Sequence, residues 1–388
     1  MTASAKLKAK LLDLAIRGKL VSQDPNDESA DVLLARIRDE KAQLVKAKTI
    51  KKEKSLPPVT DDERLFDLPK GWAWCRLGEL GFFTGGKTPS TSVQEFWGGD
   101  VLWVTSKDMK SKYITDSAIK LTKYGASELS VVDANSILMC MRSGILQRIF
   151  PVAIAKEALT INQDQRALIL FLPEMAEYIY DVLKSLEVKI LVDYKKEGTT
   201  VASIDGDKLA TLPISLPPLA EQKRIVARLE KLLKAAETLE DCEKKFGELS
   251  DKVRAKILDL AIRGKLVPQN PNDEPAETLL ARIRDEKAKL VKEKKIKKDK
   301  PLPLINDDEK PFDLPKGWAW CRLGEICNYG KCESESDIPA DAWALDLEDI
   351  EKNTGKLLRR VMFKARQTTG ARHVFKKGCC STANSGHT

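Results

Sequence analysis

Residues 5–80 recur as residues 251–326, aligned without a gap at an offset of 246 and identical at 56 of 76 positions. The blocks LDLAIRGKLV, LLARIRDEKA and FDLPKGWAWCRLGE each occur twice. A period this long excludes a solenoid, whose units of about 20–50 residues stack on their neighbours. It predicts a duplicated cassette made of a helical block, a linker and the opening of a globular domain.

Between the copies lies the unique stretch 81–218, ending in Leu212-Pro-Ile-Ser-Leu-Pro-Pro218. Val101–Thr105, Ser136–Cys140 and Ala167–Leu172 read as strands, and Glu174–Leu186 as a helix entered after Pro173. The expected fold class is α/β mixed (α+β). After Pro218 the pattern changes: Ile225, Leu229, Leu232, Ala236, Leu239, Phe246, Val253, Ile257 and Leu260 follow a three-four spacing, broken only at Glu243 and Ser250. That is a coiled-coil seam, predicting one helix from Leu219 to Val267, about 70 Å long at 1.5 Å per residue, with Pro268 as its stop. So long an apolar stripe requires a partner helix. A second helix is expected from Ala276 to about Lys292, dissolving into a Lys-rich linker. The expected segments are 1–65, 66–217, 218–297, 298–311 and 312–388.

At 388 residues the chain has room for two or three domains. Charged residues make up 32% of it, and no apolar run reaches the roughly 18–20 residues of a membrane span. No export signal opens the sequence, so the expected compartment is cytoplasmic, without a membrane partner. Eight cysteines without a paired framework predict free thiols. Cys327, Cys332, Cys379, Cys380 and His387 fit no common zinc spacing, so no metal site is expected. A net charge of +8 favours a polyanionic partner but is ordinary at this length, and the Lys-rich runs 46–54 and 289–300 read as solvated linkers.

Four segments carry a family resemblance in order: Gly71–Gly78 (GWAWCRLG), Thr84–Ser90 (TGGKTPS), Phe96–Asp108 (FWGGDVLWVTSKD) and Leu216–Val226 (LPPLAEQKRIV). The chain resembles the specificity subunits of type I restriction-modification enzymes over residues 1 to about 378. The resemblance implies a target-recognition domain at 66–217, a helical spacer at 218–297, and a second recognition domain beginning at about Phe312. This second domain is expected to be cut short, because the last ten residues, Cys379–Thr388, follow no strand or helix pattern. It further implies double-stranded DNA, methyltransferase (modification) subunits and a restriction/translocase subunit as partners. The subunit itself is expected to carry no catalytic residue and no cofactor, with S-adenosylmethionine, ATP and Mg held by partner subunits. Two chains pairing residues 219–267 antiparallel would form a homodimer with two recognition domains.

Reading DNA needs cations for phosphate and amide or guanidinium groups for base edges, displayed on loops. The candidates are Thr84, Gly85, Gly86, Lys87 and Thr88; Ser106 and Lys107; Arg142, Ser143, Gln147 and Arg148; and Asn162 and Gln163. For each of them a turn-forming or surface role competes with base reading. Trp72, Trp74, Trp97 and Trp103 read as core and anchoring residues. Two other classes of function compete. Gly81–Thr88 satisfies the phosphate-binding-loop pattern of an ATPase, but Pro89-Ser-Thr-Ser follows where that motif requires a helix. A coiled-coil scaffold without DNA specificity would leave the loops silent.

Overall fold

The computed structural model describes residues 2–52, 55–196, 201–296, 298, 300–327, 332–333, 342–352, 354–363 and 372–373. Cys379, Cys380 and His387 of the zinc reading, and the terminal segment 379–388, lie outside the described residues. The chain divides into two units, Met1–Glu248 and Leu249–Thr388.

In the first unit α1 (Ala3–Ile16) and α2 (Ala30–Lys46) precede β1 (Ala73–Arg76), β2 (Gly81–Gly85), β3 (Trp97–Val104), β4 (Tyr113–Ile114) and β5 (Lys120–Leu121). Then come α3 (Lys123–Ser127), β6 (Ile137–Cys140), β7 (Val152–Ala155), β8 (Thr160–Ile161) and β9 (Gln165–Leu170). α4 (Ala176–Ser185), α5 (Glu187–Asp193), α6 (Gly206–Ala210) and β10 (Pro213–Leu216) lead into α7 (Leu219–Ile262), which runs on into the second unit. Five strands form a sheet in the order β2-β9-β6-β7-β4, and β5-β3-β8 form a smaller one. β1 pairs antiparallel with β10, so the end of the first cassette copy is laced to the segment that opens α7. The mixed helix–strand class agrees with the sequence reading.

The strands are short because their apolar runs are short, and β6 and β7 are buried at every position. One apolar core runs from Leu11, Ala15 and Ile16 of α1 through Leu33 and Ile37 of α2 and the sheet to Ile225 and Leu229 of α7. The expected division at residue 65 is therefore not a break in packing: the helices of the first copy are buried against the body. α4 packs on α1 and β7, and Tyr178 on α4 donates its hydroxyl hydrogen to the Ser215 carbonyl at 2.7 Å. Ser215 in turn donates to the Ile16 carbonyl at 2.8 Å.

α7 ends at Ile262, five residues short of the expected Val267. The stop is Gly264, at φ +63, with Gly264 N–H donating to Ala261 O at 3.0 Å and Lys265 N–H to Leu260 O at 2.8 Å. A left-handed residue closes the last carbonyls without help from a proline. The equivalent residue of the first copy, Gly18, has φ +65 and ends α1 in the same way.

The second unit holds Leu249–Ile262 of α7, then α8 (Ala276–Lys292), the short α9 (Leu323–Ile326), and two-stranded pairs of β11 (Cys332–Glu333) with β14 (Arg372–His373) and β12 (Trp343–Ala344) with β13 (Val361–Met362). Its local contacts repeat those of the first copy. Arg17 lies 4.7 Å from the Phe66 ring and Arg263 4.7 Å from the Phe312 ring. Arg76 bonds Glu63 at 2.6 Å and the carbonyls of Pro57 and Pro58, while Arg322 bonds Glu309 at 2.6 Å and the carbonyls of Pro303 and Leu304. Burial does not repeat: Trp72 is 7% exposed and Leu77 0%, against 42% for Trp318 and 65% for Leu323.

Candidate nucleic-acid interface

Strand register brings the candidate loops to one end of the main sheet. Gly85, the last residue of β2, pairs with Arg166, and Cys140, the last residue of β6, pairs with Gln165, so both strands end where β9 begins. β3 joins them through β8, with Val104 opposite Ile161 and Asn162 N–H donating to Val104 O at 3.1 Å. The turn 161–165 is therefore the hub. Lys87 N–H donates to Ile161 O at 3.1 Å, Gly86 N–H to Gln165 O at 3.4 Å, and the N–H groups of Met141 and Arg142 to Asp164 O at 2.8 and 3.1 Å.

On this frame the side chains separate by role. Lys87, Lys107, Arg142 and Arg148 are exposed, and none pairs with an acid among the described residues. Gln163 is exposed and its side chain takes a short hydrogen bond from the Thr88 hydroxyl. Gln147 is exposed and accepts from Lys195 Nζ at 3.2 Å. Thr84 and Ser106 are half-buried, and Ser143 caps the turn Gly144–Gln147. Asn162 is buried, and its side-chain oxygen accepts from Asp164 N–H at 3.3 Å, which makes it a turn-closing residue.

The two glycines differ as well. A Cβ at Gly86 would overlap the carbonyl oxygens of Ile161 and Asn162, so this glycine serves the packing of the loop on the hub. At Gly85 nothing lies within 4 Å of a Cβ. Asp108, absent from the sequence-based set, holds the Lys107 loop: its carboxylate accepts from Thr105 N–H at 2.8 Å, Thr105 Oγ1 at 2.7 Å and Ala118 N–H at 3.0 Å. Its signal in the sequence is the Thr-x-x-Asp spacing after a strand.

Trp72 and Trp103 are buried, whereas Trp74 and Trp97 are half-buried. Trp97 stacks edge-on to Trp103 at 5.5 Å, and Trp74 packs on Phe66 at 5.2 Å. The ATPase pattern fails on geometry. Gly81–Gly85 is a strand, no helix follows Lys87-Thr88, and the amides of Gly86 and Lys87 are spent on the hub.

Ion pairs and one indole join the body to α7. Trp72 Nε1 donates to Glu221 Oε2 at 2.9 Å, Arg224 bonds Asp27 at 2.5 Å, and Lys112 meets Glu230 at 3.2 Å. Burial raises the Glu221 carboxyl above its usual range, against the opposing Trp72 hydrogen bond. Beside Lys112, burial pushes the Asp181 carboxyl up to about 7; Lys112 opposes this, while Glu230 and Glu177 add to it.

The seam divides in two. Ile225, Leu229 and Ala236 are buried and Leu232 half-buried within the first unit, where Lys8 on α1 also pairs with Glu240 at 2.6 Å. Leu239, Phe246, Val253 and Ile257 are exposed, and Leu260 is half-buried. The first half of the seam is thus closed within the chain, by a core shared with the first cassette copy.

The body is thus a mixed sheet with polar loops gathered at one end, laced to a long helix. Residues 69–245 match the type I restriction modification DNA specificity domain. The match covers that segment, a little under half of the chain. It is 34% identical over 376 residues to the type I restriction enzyme EcoAI specificity subunit of Escherichia coli, covering 84% of this chain and 62% of that protein. The EcoEI specificity subunit of Escherichia coli is 32% identical over 369 residues, covering 83% and 61%. The chain therefore spans about three fifths of the length of these relatives. A chain in a solved structure concerning complex assembly and conformational transition of the type I R-M system aligns with a TM-score of 0.40 at 22% identity, covering 68% of this chain and 60% of that one. Among the described residues no helix is long and apolar enough to cross a membrane.

Proposed function

We propose that the chain is the DNA sequence-recognition subunit of a type I restriction-modification complex. The body at 66–217 reads a half-site of a bipartite target, and the helices at 218–297 dock methyltransferase and restriction subunits. It performs no chemistry; S-adenosylmethionine, ATP and Mg act on the partner subunits, and the complex works in the cytoplasm. The domain match over residues 69–245 supports the assignment, and one observation carries the reading mode: three loops whose cations are unpaired among the described residues converge on the turn 161–165, which itself exposes Gln163. Exposed guanidinium and amide groups match the acceptor and donor pairs of guanine and adenine in the major groove. Methylome sequencing of cells expressing the chain with its modification partner tests it. A motif whose half-site changes when the loop residues are exchanged supports the reading, and methylation indifferent to those loops refutes it.

The exposed seam favours a second reading of the assembly. Leu239, Phe246, Val253 and Ile257 continue the seam as an exposed apolar stripe on α7, and two chains pairing α7 antiparallel would cover it. Light scattering of the purified chain tests this; a strict monomer in the presence of modification subunits refutes it.

A further inference from the structure

We infer that Arg166 binds a phosphate group at the margin of the reading loops, a contact that rests on the DNA-reading function proposed above. β9 sets Arg166 directly opposite Gly85 on β2. Facing residues of an antiparallel pair ordinarily touch through their side chains, but Gly85 has none and the space above it is open. The guanidinium lies instead across Gly206, where a Cβ would overlap it. Gly85, Gly206 and Gly78, with Leu56, Phe83, Ala210 and Asp207, line a cavity of about 410 Å³ around it.

A guanidinium brings five N–H donors. That of Arg166 makes no hydrogen bond among the described residues, and its ion pair with Asp207 is 3.7 Å long. Asp207 is 99% exposed, so the pair holds the arginine weakly. Arg76 in the same unit shows what a structural arginine does here: it bonds Glu63 and the carbonyls of Pro57, Pro58 and Thr211. A half-exposed planar cation with idle donors, in an open cavity where three glycines leave room beside it, is built for bidentate capture of an oxyanion. Phosphate is the oxyanion that fits the place, because the loop with the unpaired Lys87 begins immediately after Gly85. A DNA backbone phosphate and a free phosphate ion share this chemistry.

The test measures binding of the full chain to a duplex of random sequence over a series of salt concentrations, for wild type, Arg166→Gln and Arg166→Lys. A contact to one backbone phosphate contributes about 0.9 to the slope of log affinity against log salt. Arg166→Gln is expected to lose that slope and to bind roughly five- to tenfold more weakly near 0.1 M salt. Arg166→Lys keeps the slope with intermediate affinity, and carries the test if the glutamine variant has a lower unfolding midpoint. In a second arm, inorganic phosphate replaces chloride at matched ionic strength. Competition in the wild type that Arg166→Gln abolishes, with an unchanged slope, assigns the site to the free ion. If wild type binds the duplex while Arg166→Gln keeps slope, affinity and indifference to phosphate, this inference is wrong and the DNA reading stands. If wild type binds no duplex at any salt, the DNA reading itself fails.

Discussion

Asn162 and Gln163 are adjacent, and sequence alone gives them the same reading role. The structure buries the first to close a turn and exposes the second. Asn162→Ala is therefore expected to cost about 1–2 kcal/mol of stability, as a buried hydrogen bond is removed, with little change in which duplex is preferred. Gln163→Ala and Arg142→Ala should leave the unfolding midpoint in place and relax discrimination by about 1–3 kcal/mol for each base edge no longer read. Competition binding beside thermal unfolding separates the two classes; a loss of discrimination confined to Asn162→Ala would reverse the assignment.

Asp181 gives a second prediction at this scale. Its unfolded carboxyl titrates near 3.8 and its folded one near 7, because burial penalises the charge. Between those values the folded state holds a proton that the unfolded state has released, so stability falls as pH rises through this window. Asp181→Asn should raise the unfolding midpoint at pH 8, and the gain should shrink toward pH 4. An equal effect at both pH values would show that the carboxyl is already ionised in the fold.

At the scale of elements, α7 is one helix with two environments. Leu229 is fully buried in the first unit, whereas Phe246 is 75% exposed. Leu229→Ala should cost about 2–5 kcal/mol through the cavity it leaves, and Phe246→Ala within about 0.5 kcal/mol in the isolated chain. Chemical denaturation measures both; a large cost at Phe246 at low protein concentration would mean that its face is covered within the chain. The helix ends carry a related prediction. Gly18→Ala forces a Cβ into a positive-φ position against Pro69 and Trp72, so it should destabilise the first unit by more than about 1 kcal/mol.

At the scale of the whole molecule, the first unit owns the large core, which draws on α1, α2, the sheet and the beginning of α7. A fragment ending at Glu248 should keep the unfolding midpoint of this unit to within a few degrees, read by calorimetry on the fragment and the full chain. A drop of more than about ten degrees would show that residues after 248 stabilise it.

Much of this architecture is legible in the residues taken in order. The repeat, β6, the approximate positions of β3 and β9, and the long helix follow from periodicity, turn residues and motif spacing, which act between near neighbours; Thr84 and Gly85, expected on a loop, instead end strand β2. The Gly264 stop is legible too, as a glycine at a helix end, though Pro268 marks a later stop in the same pattern. The fate of Asn162, the role of Gly86 and the isolation of Arg166 are not legible, since each depends on a strand distant in sequence. The two cassette copies make the division plain. Nearly identical residues form the same caps, the same Arg–Phe contacts and the same Arg–Glu clamps in both places. Yet Trp72 is buried and Trp318 exposed, because burial is set by what packs on a side chain from elsewhere in the chain: Trp72 meets Tyr178 of α4 and Glu221 of α7.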